Sequence, residues 1–229
     1  MALSPTSFAI LGLLAVRPLS SYELTKEMRR NLHFFWPRAE SGMYKEVKQL
    51  AQAGLAKAER TYTGRRPRTT YSITAKGRRE LKKWLTEPPR PVALEFEAVL
   101  RIFLAAHGTK EALLQALERA TADAEEILAV GSGVAQEYAE GRAPFQEQVH
   151  VRALIFDFLW SYAQAVSQWA VRARQTVAEW DDMSVAGKEE AATALIAQTV
   201  SRQPWDRPGR ADGPADIVGP TARERTRPT

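Results

Sequence analysis

The sequence predicts a mainly α-helical protein, a winged helix-turn-helix DNA-binding domain followed by an all-helical dimerisation domain. Three observations carry that reading. Residues 1–87 run helix, helix, helix, β-hairpin, helix in the patterning of their apolar residues. The same residues hold 17 Lys+Arg against 7 Asp+Glu, whereas residues 88–202 hold 10 against 16. Beyond a proline-rich break at Pro88-Pro89-Arg90-Pro91 the pattern becomes helical throughout.

The first helix is read from Ser4 as N-cap and Pro5 at the first helical position, with Phe8, Ile10, Leu11, Leu13 and Leu14 as a broad apolar face. Arg17-Pro18 ends it, because a residue before proline is pushed out of α geometry. Ser20 and Ser21 open a second helix with Glu23 in its first turn, and Leu24, Met28 and Leu32 keep a buried spacing. A connector, residues 33–40, holds Phe34, Phe35, Trp36 and Pro37. Ser41 is expected to cap the third helix, with Met43, Val47 and Leu50 inward, and Gly54 is expected to end it.

Residues 55–62 and 69–73 are read as two strands around Thr63-Gly64-Arg65-Arg66-Pro67-Arg68, a hairpin whose tip carries three arginines. Thr74 is expected to cap a fourth helix running through Leu85. After the prolines, residues 96–106 form one helix and 110–138 a longer one. A third carries Ile155, Leu159, Tyr162, Val166, Trp169, Ala173, Val177 and Trp180. The two long helices repeat apolar or small residues in steps of four and three, a seam spacing for packing against partner helices. Residues 203–229, rich in Pro, Gly, Arg and Asp, are expected to be a disordered tail. The domain expectation is therefore 1–87, 92–202 and 203–229.

The charge split points to a polyanionic partner of the first domain, nucleic acid or an anionic membrane surface. In a helix-turn-helix the second helix of the motif enters the major groove, here the helix after Ser41. The expected DNA-binding residues are Arg38, Ser41, Tyr44, Lys45 and Lys48, with Thr63, Gly64, Arg65, Arg66 and Arg68 on a wing that reaches the backbone or the minor groove. Tyr44 is equally readable as a core aromatic.

The seam helices carry more apolar stripe than one chain easily hides. The expected dimer interface is Phe8, Leu113, Leu117, Ile127, Val134, Ile155, Leu159, Tyr162, Val166 and Trp169. A two-fold dimer would place two reading helices roughly 34–36 Å apart on an inverted-repeat operator. Trp84, Trp160, Trp169, Trp180, Phe156 and Phe158 could line a site for a flat aromatic small molecule, although aromatics at helical spacing are more often core.

An enzyme is not expected. His33, His107 and His150 are widely separated, no carboxylate–histidine spacing suits a metal, and no glycine loop cradles phosphate. No cofactor is expected. The chain has no cysteine, which removes disulfides and thiolate chemistry and favours a cytoplasmic location. The apolar run from Phe8 to Val16 lacks the flanks of a signal peptide, and no stretch approaches the length of a membrane span.

The motifs also resemble a known family. Leu19-Ser20-Ser21-Tyr22-Glu23-Leu24, Phe35-Trp36-Pro37, Met43-Tyr44-Lys45-Glu46-Val47-Lys48-Gln49-Leu50 leading to Ala53-Gly54-Leu55, and Tyr71-Ser72-Ile73-Thr74-Ala75-Lys76-Gly77 are similar in residue and spacing to the PadR family of bacterial transcriptional regulators. Ser21 departs from that family's frequent glycine. The helical second half is similar in layout to the longer PadR subgroup, whose C-terminal helices make the dimer. The resemblance implies a homodimeric DNA-binding repressor, commonly relieved by a small molecule.

Overall fold

The computed structural model describes residues 3–37, 42–63 and 66–201. Contacts group the chain into one compact unit ending at Met183 and a second beginning at Ser184. The tail expected to be disordered lies outside the described residues.

In the first unit, α1 (Pro5–Val16) is the central helix of the head. The Ser4 hydroxyl accepts from the Ser7 N–H at 3.0 Å and Ser7 returns the bond, so both ends of the first turn are satisfied. Ile10, Leu11 and Leu14 are fully buried, because this helix is covered on most sides. Two residues beyond it form β1 (Leu19–Ser20), a strand too short to announce itself in sequence. Ser20 then caps α2 (Ser21–Leu32) in a capping box with Glu23.

The next helix, α3 (Met43–Gln52), is capped by Gly42 at φ +78° rather than by Ser41 as expected. Glycine occupies the left-handed backbone position that other residues resist, and no side chain caps this end. Its other end is a Schellman turn: Gly54 N–H donates to the Ala51 carbonyl at 3.0 Å and Leu55 N–H to the Leu50 carbonyl at 2.9 Å, with Gly54 at φ +71°.

The hairpin comprises β2 (Ala56–Thr63) and β3 (Arg66–Ile73), antiparallel from Ala56↔Ile73 to Thr63↔Arg66. Both strands run further towards the turn than the sequence suggested, since cross-strand pairing takes in Thr63 on one side and Arg66, Pro67 and Arg68 on the other. Leu19 pairs with Tyr71, giving the sheet order β1-β3-β2. Thr74 caps α4 (Ala75–Thr86), as expected from sequence. At this junction the fold allows only glycine at position 77: a Cβ there would lie 2.2 Å from the Leu55 carbonyl oxygen. The head core joins Phe8, Leu11, Leu19, Leu24, Met28, Met43, Val47, Leu50 and Tyr71.

Residues 88–96 have no regular structure. They lead to α5 (Glu97–Phe103), a single 3₁₀ turn at Ala105–His107, and two thirty-residue helices, α6 (Lys110–Ala139) and α7 (Val149–Ala178). The last two lie alongside each other. Gly131 does not break α6, because its missing Cβ makes room for Trp160, whose ring would stand 3.2 Å from such an atom. Lys110 donates to the Ala178 carbonyl at 2.9 Å and also to that of Trp180, capping the end of α7. The second unit holds α8 (Glu189–Ser201), a helix the sequence reading did not separate.

Candidate nucleic-acid interface

The amphipathic pattern of α3 decides which side chains it offers. Met43, Val47 and Leu50 are buried, and the helical period turns Tyr44, Lys45 and Lys48 outward, all exposed. Tyr44 is 55% exposed, which removes the core alternative for it. Glu46 on this helix is half-buried. It accepts from the Ser4 hydroxyl at 2.9 Å and from the Ser7 hydroxyl, which locks α3 to the start of α1. The one carboxylate of the helix is thereby held away from its cationic face. Arg38 and Ser41 lie outside the described residues.

The wing stands next to α3 in the chain, and its register places the arginines. Gly64 and Arg65 lie outside the described residues, and Thr63 pairs with Arg66 at the end of the ladder. Arg68 is not at the tip as expected. It sits opposite Thr61, two pairs further in, and its Nη1 lies 3.4 Å from the Glu23 carboxylate. The extended ladder draws it there. Arg68 therefore braces the wing against α2 while remaining partly exposed.

Burial raises the pKa of Glu23. The Ser20 backbone N–H and hydroxyl, with the charges of Arg68 and Arg17, outweigh that and hold the carboxyl below its ordinary value. Both bonds from Ser20 are 2.8 Å.

Sequence reasoning missed a second exposed strip. Tyr22 and Lys26 stand one turn apart on the outer side of α2. Their spacing, offset from Leu24 and Met28, was the available signal.

The helical half differs more from expectation. Phe8 is buried in the head and stacks on Trp84 with ring centroids 4.6 Å apart, so it has no face for a partner. Leu113 and Leu117 are likewise buried, packed with Val177 of α7. Trp169 packs beside Ala98, Ala120 and Ala170 where α5, α6 and α7 meet. The seam period was real, but α6 and α7 satisfy much of it against each other.

Further along, Ile127, Val134, Ile155 and Leu159 line a cavity of about 240 Å³ within the chain. Its walls come from α6, α7 and the end of α2, and include Phe34, Phe156, Trp160, Arg30, Asn31 and Arg152. Of the six aromatics expected around a ligand site, Phe156 and Trp160 line this cavity. Trp84, Trp169 and Trp180 pack in cores, and Phe158 is 60% exposed on the outer side. Tyr162 stacks on Phe158 at 6.4 Å and, like Val166, is half-buried. The outward surface of α7 carries Val151, Leu154 and Phe158.

Among the described residues there is no cluster able to hold a metal ion, and no helix is long and apolar enough to cross a membrane.

Residues 10–83 match the family described as "Transcriptional regulator PadR-like family". The chain is 33% identical over 98 residues to the negative transcriptional regulator PadR of Bacillus subtilis, covering 42% of this chain and 54% of that protein. It is 30% identical over 84 residues to a probable transcriptional regulator of Mycobacterium tuberculosis, covering 36% and 44%. The chain thus spans about half the length of the curated relatives it matches.

Among solved structures, Bacillus subtilis PadR in complex with operator DNA superposes with a TM-score of 0.63 at 21% identity, over 75% of this chain and 98% of that one. A Streptococcus mutans protein, smu.1604c, gives 0.65 at 18%, over 75% and 98%. Bacillus subtilis PadR in complex with p-coumaric acid gives 0.58 at 21%, over 78% and 100%. At these identities the likeness is one of fold, and it extends past the head into the helical half.

Proposed function

From the match of residues 10–83 to the PadR-like family, we propose that the chain is a sequence-specific regulator of transcription that binds double-stranded DNA as a homodimer and represses the genes it controls. The observation that carries this reading is the outward face of α3, where Tyr44, Lys45 and Lys48 stand together on a helix fixed from behind by Glu46. Lysines neutralise phosphates and release counterions, while a tyrosine hydroxyl can donate to phosphate or a base edge. The wing, with Arg65, Arg66 and Arg68, adds charge that positions without specifying sequence.

A second copy is the partner best suited to the outer face of α7 and to Leu100 and Phe103 of α5, all exposed apolar groups. Two heads would then read an inverted repeat. The cavity between α2, α6 and α7 is the proposed site of a small aromatic effector that relieves repression. It touches both the head and the helical half, so a ligand there can bias one against the other. Supporting this, a PadR of the same fold has been crystallised with p-coumaric acid. The reading is of a DNA-binding protein acting in the cytoplasm, with no catalytic step.

The test is selection of bound sites from a random duplex library. An inverted repeat recovered with half-sites about one DNA turn apart is the expected result. Recovery of no enriched sequence would refute sequence-specific binding.

A further inference from the structure

Between α4 and α5 the chain passes through residues 87–95, all exposed and without regular structure. Residues far away in sequence also tie the head to the helical half. Phe145 belongs to the loop between α6 and α7, yet it is 5% exposed and sits in the core of the head. Its φ is +63°, a left-handed conformation that a phenylalanine adopts only where its surroundings enforce it. Arg152 of α7 lies over its ring at 4.4 Å, and Arg17 of the head is 5.8 Å from the same ring.

The Arg152 guanidinium reaches on into the head. Its Nη1 donates to Asn31 Oδ1 at 2.6 Å. Asn31 Nδ2 donates to the Glu27 carbonyl at 2.7 Å and to its carboxylate at 3.1 Å, and that buried carboxylate also receives Arg17 at 3.1 Å. A polar chain therefore runs Arg152–Asn31–Glu27–Arg17, from α7 through α2 to the end of α1. Glu27 at its centre is buried and Asn31 and Arg152 are half-buried, so loss of one member leaves polar groups there short of partners. Arg30 makes a second tie, to Glu137 of α6. Arg30, Asn31 and Arg152 also form the polar wall of the cavity.

We propose that Arg152 is a positioning residue for operator recognition: held by Asn31 and Phe145, it fixes the angle of each head on the dimer module and so sets the half-site spacing that the protein accepts. The inference rests on the dimeric DNA-binding reading above. One added base pair moves the half-sites apart and turns them by about a tenth of a turn. A rigid head cannot follow that change, whereas a loosened head can.

The experiment uses the full chain and three duplexes: a single half-site recovered by the selection above, the recovered inverted repeat, and that repeat with two base pairs added to the spacer. Wild type is expected to lose about tenfold in affinity on the lengthened spacer. Arg152→Met keeps the stem and removes the charge and its hydrogen bond. It should lose about threefold or less on that spacer while binding the single half-site as wild type does. Asn31→Ala should reproduce this, and Arg152→Lys, still able to donate to Asn31, should restore part of the discrimination.

Retention of the wild-type ratio by Arg152→Met overturns the proposal. So does an equal loss on all three duplexes, which marks a residue needed only for folding. A wild type that binds both spacers alike overturns it while leaving DNA binding intact. A wild type that binds none of the duplexes overturns the DNA reading itself.

Discussion

Gly77→Ala tests whether the wing is rooted where the structure puts it. The added Cβ would meet the Leu55 carbonyl oxygen at 2.2 Å and Ile73 Cγ1 at 2.9 Å. The first of these is backbone and cannot rotate away. Ordinary contact begins near 3.4 Å, so the start of α4 and residue 55 must part by about 1.2 Å. That displacement strains three bonds converging on one corner. Thr74 Oγ1 donates to the Gly54 and Leu55 carbonyls at 2.8 and 3.1 Å, and Thr74 N–H donates to Leu55 at 3.0 Å.

Overpacking costs about 1–3 kcal/mol and a damaged N-cap about 1 more. A loss near 3 kcal/mol is expected, or a Tm lower by roughly 6–12 °C for a unit of this size. Urea unfolding followed by circular dichroism reads it from the midpoint at unchanged slope. A change below about 0.5 kcal/mol would mean that α4 does not pack on Leu55, and the junction that carries β3 into α4 would need another explanation.

Three further outcomes are expected. Leu154→Glu with Phe158→Glu, at 72% and 60% exposed positions on α7, should convert a dimer to a folded monomer in sedimentation; a persisting dimer places the interface elsewhere. Because the Glu23 carboxyl is held below its ordinary value in the folded state, its contribution is complete above 4.5 and is lost as pH falls through the folded value. Glu23→Gln should therefore flatten the acid limb of the stability–pH curve, and an unchanged limb would show that the Ser20–Glu23–Arg68 cluster carries no linkage. Gly131→Leu should fill the cavity beside Trp160, so that p-coumaric acid quenches tryptophan fluorescence in wild type and not in the variant; equal quenching in both would move the ligand out of that cavity.

Much of the head was legible because local chemistry decides it. Ser4-Pro5, Ser20 with Glu23, Gly54 and Thr74 each satisfy or end a helix using groups within a few residues, and all four act as the sequence indicates. The cap of α3 shifted by one residue because serine and glycine are adjacent there and backbone geometry favoured the glycine. Strand β1 was invisible since its two residues are ordered by pairing with Tyr71 and Thr70, fifty residues away. Arg68 was assigned to the tip because the ladder length of a hairpin is set by cross-strand pairing, not by local composition.

The helical half shows the sharper limit. A period of four and three says that a helix has a face to bury, and nothing about what covers it. Leu113, Leu117 and Leu159 obey the period and turn inward within the chain. Leu154 and Phe158 stand outside the stripe that the sequence reading followed, and remain exposed. The bond from Arg152 to Asn31 spans more than a hundred residues and leaves no local signal at all.

That the α3 face neutralises DNA phosphates is tested most directly by duplex affinity measured against salt, for wild type and for Lys45→Ala with Lys48→Ala. Two lysines on each of two heads, at about −0.9 per phosphate, require a wild-type slope of log K on log salt of about −3.6 or steeper, falling towards zero by about that amount in the variant. A wild-type slope near zero, or an identical slope in the variant, would contradict the account.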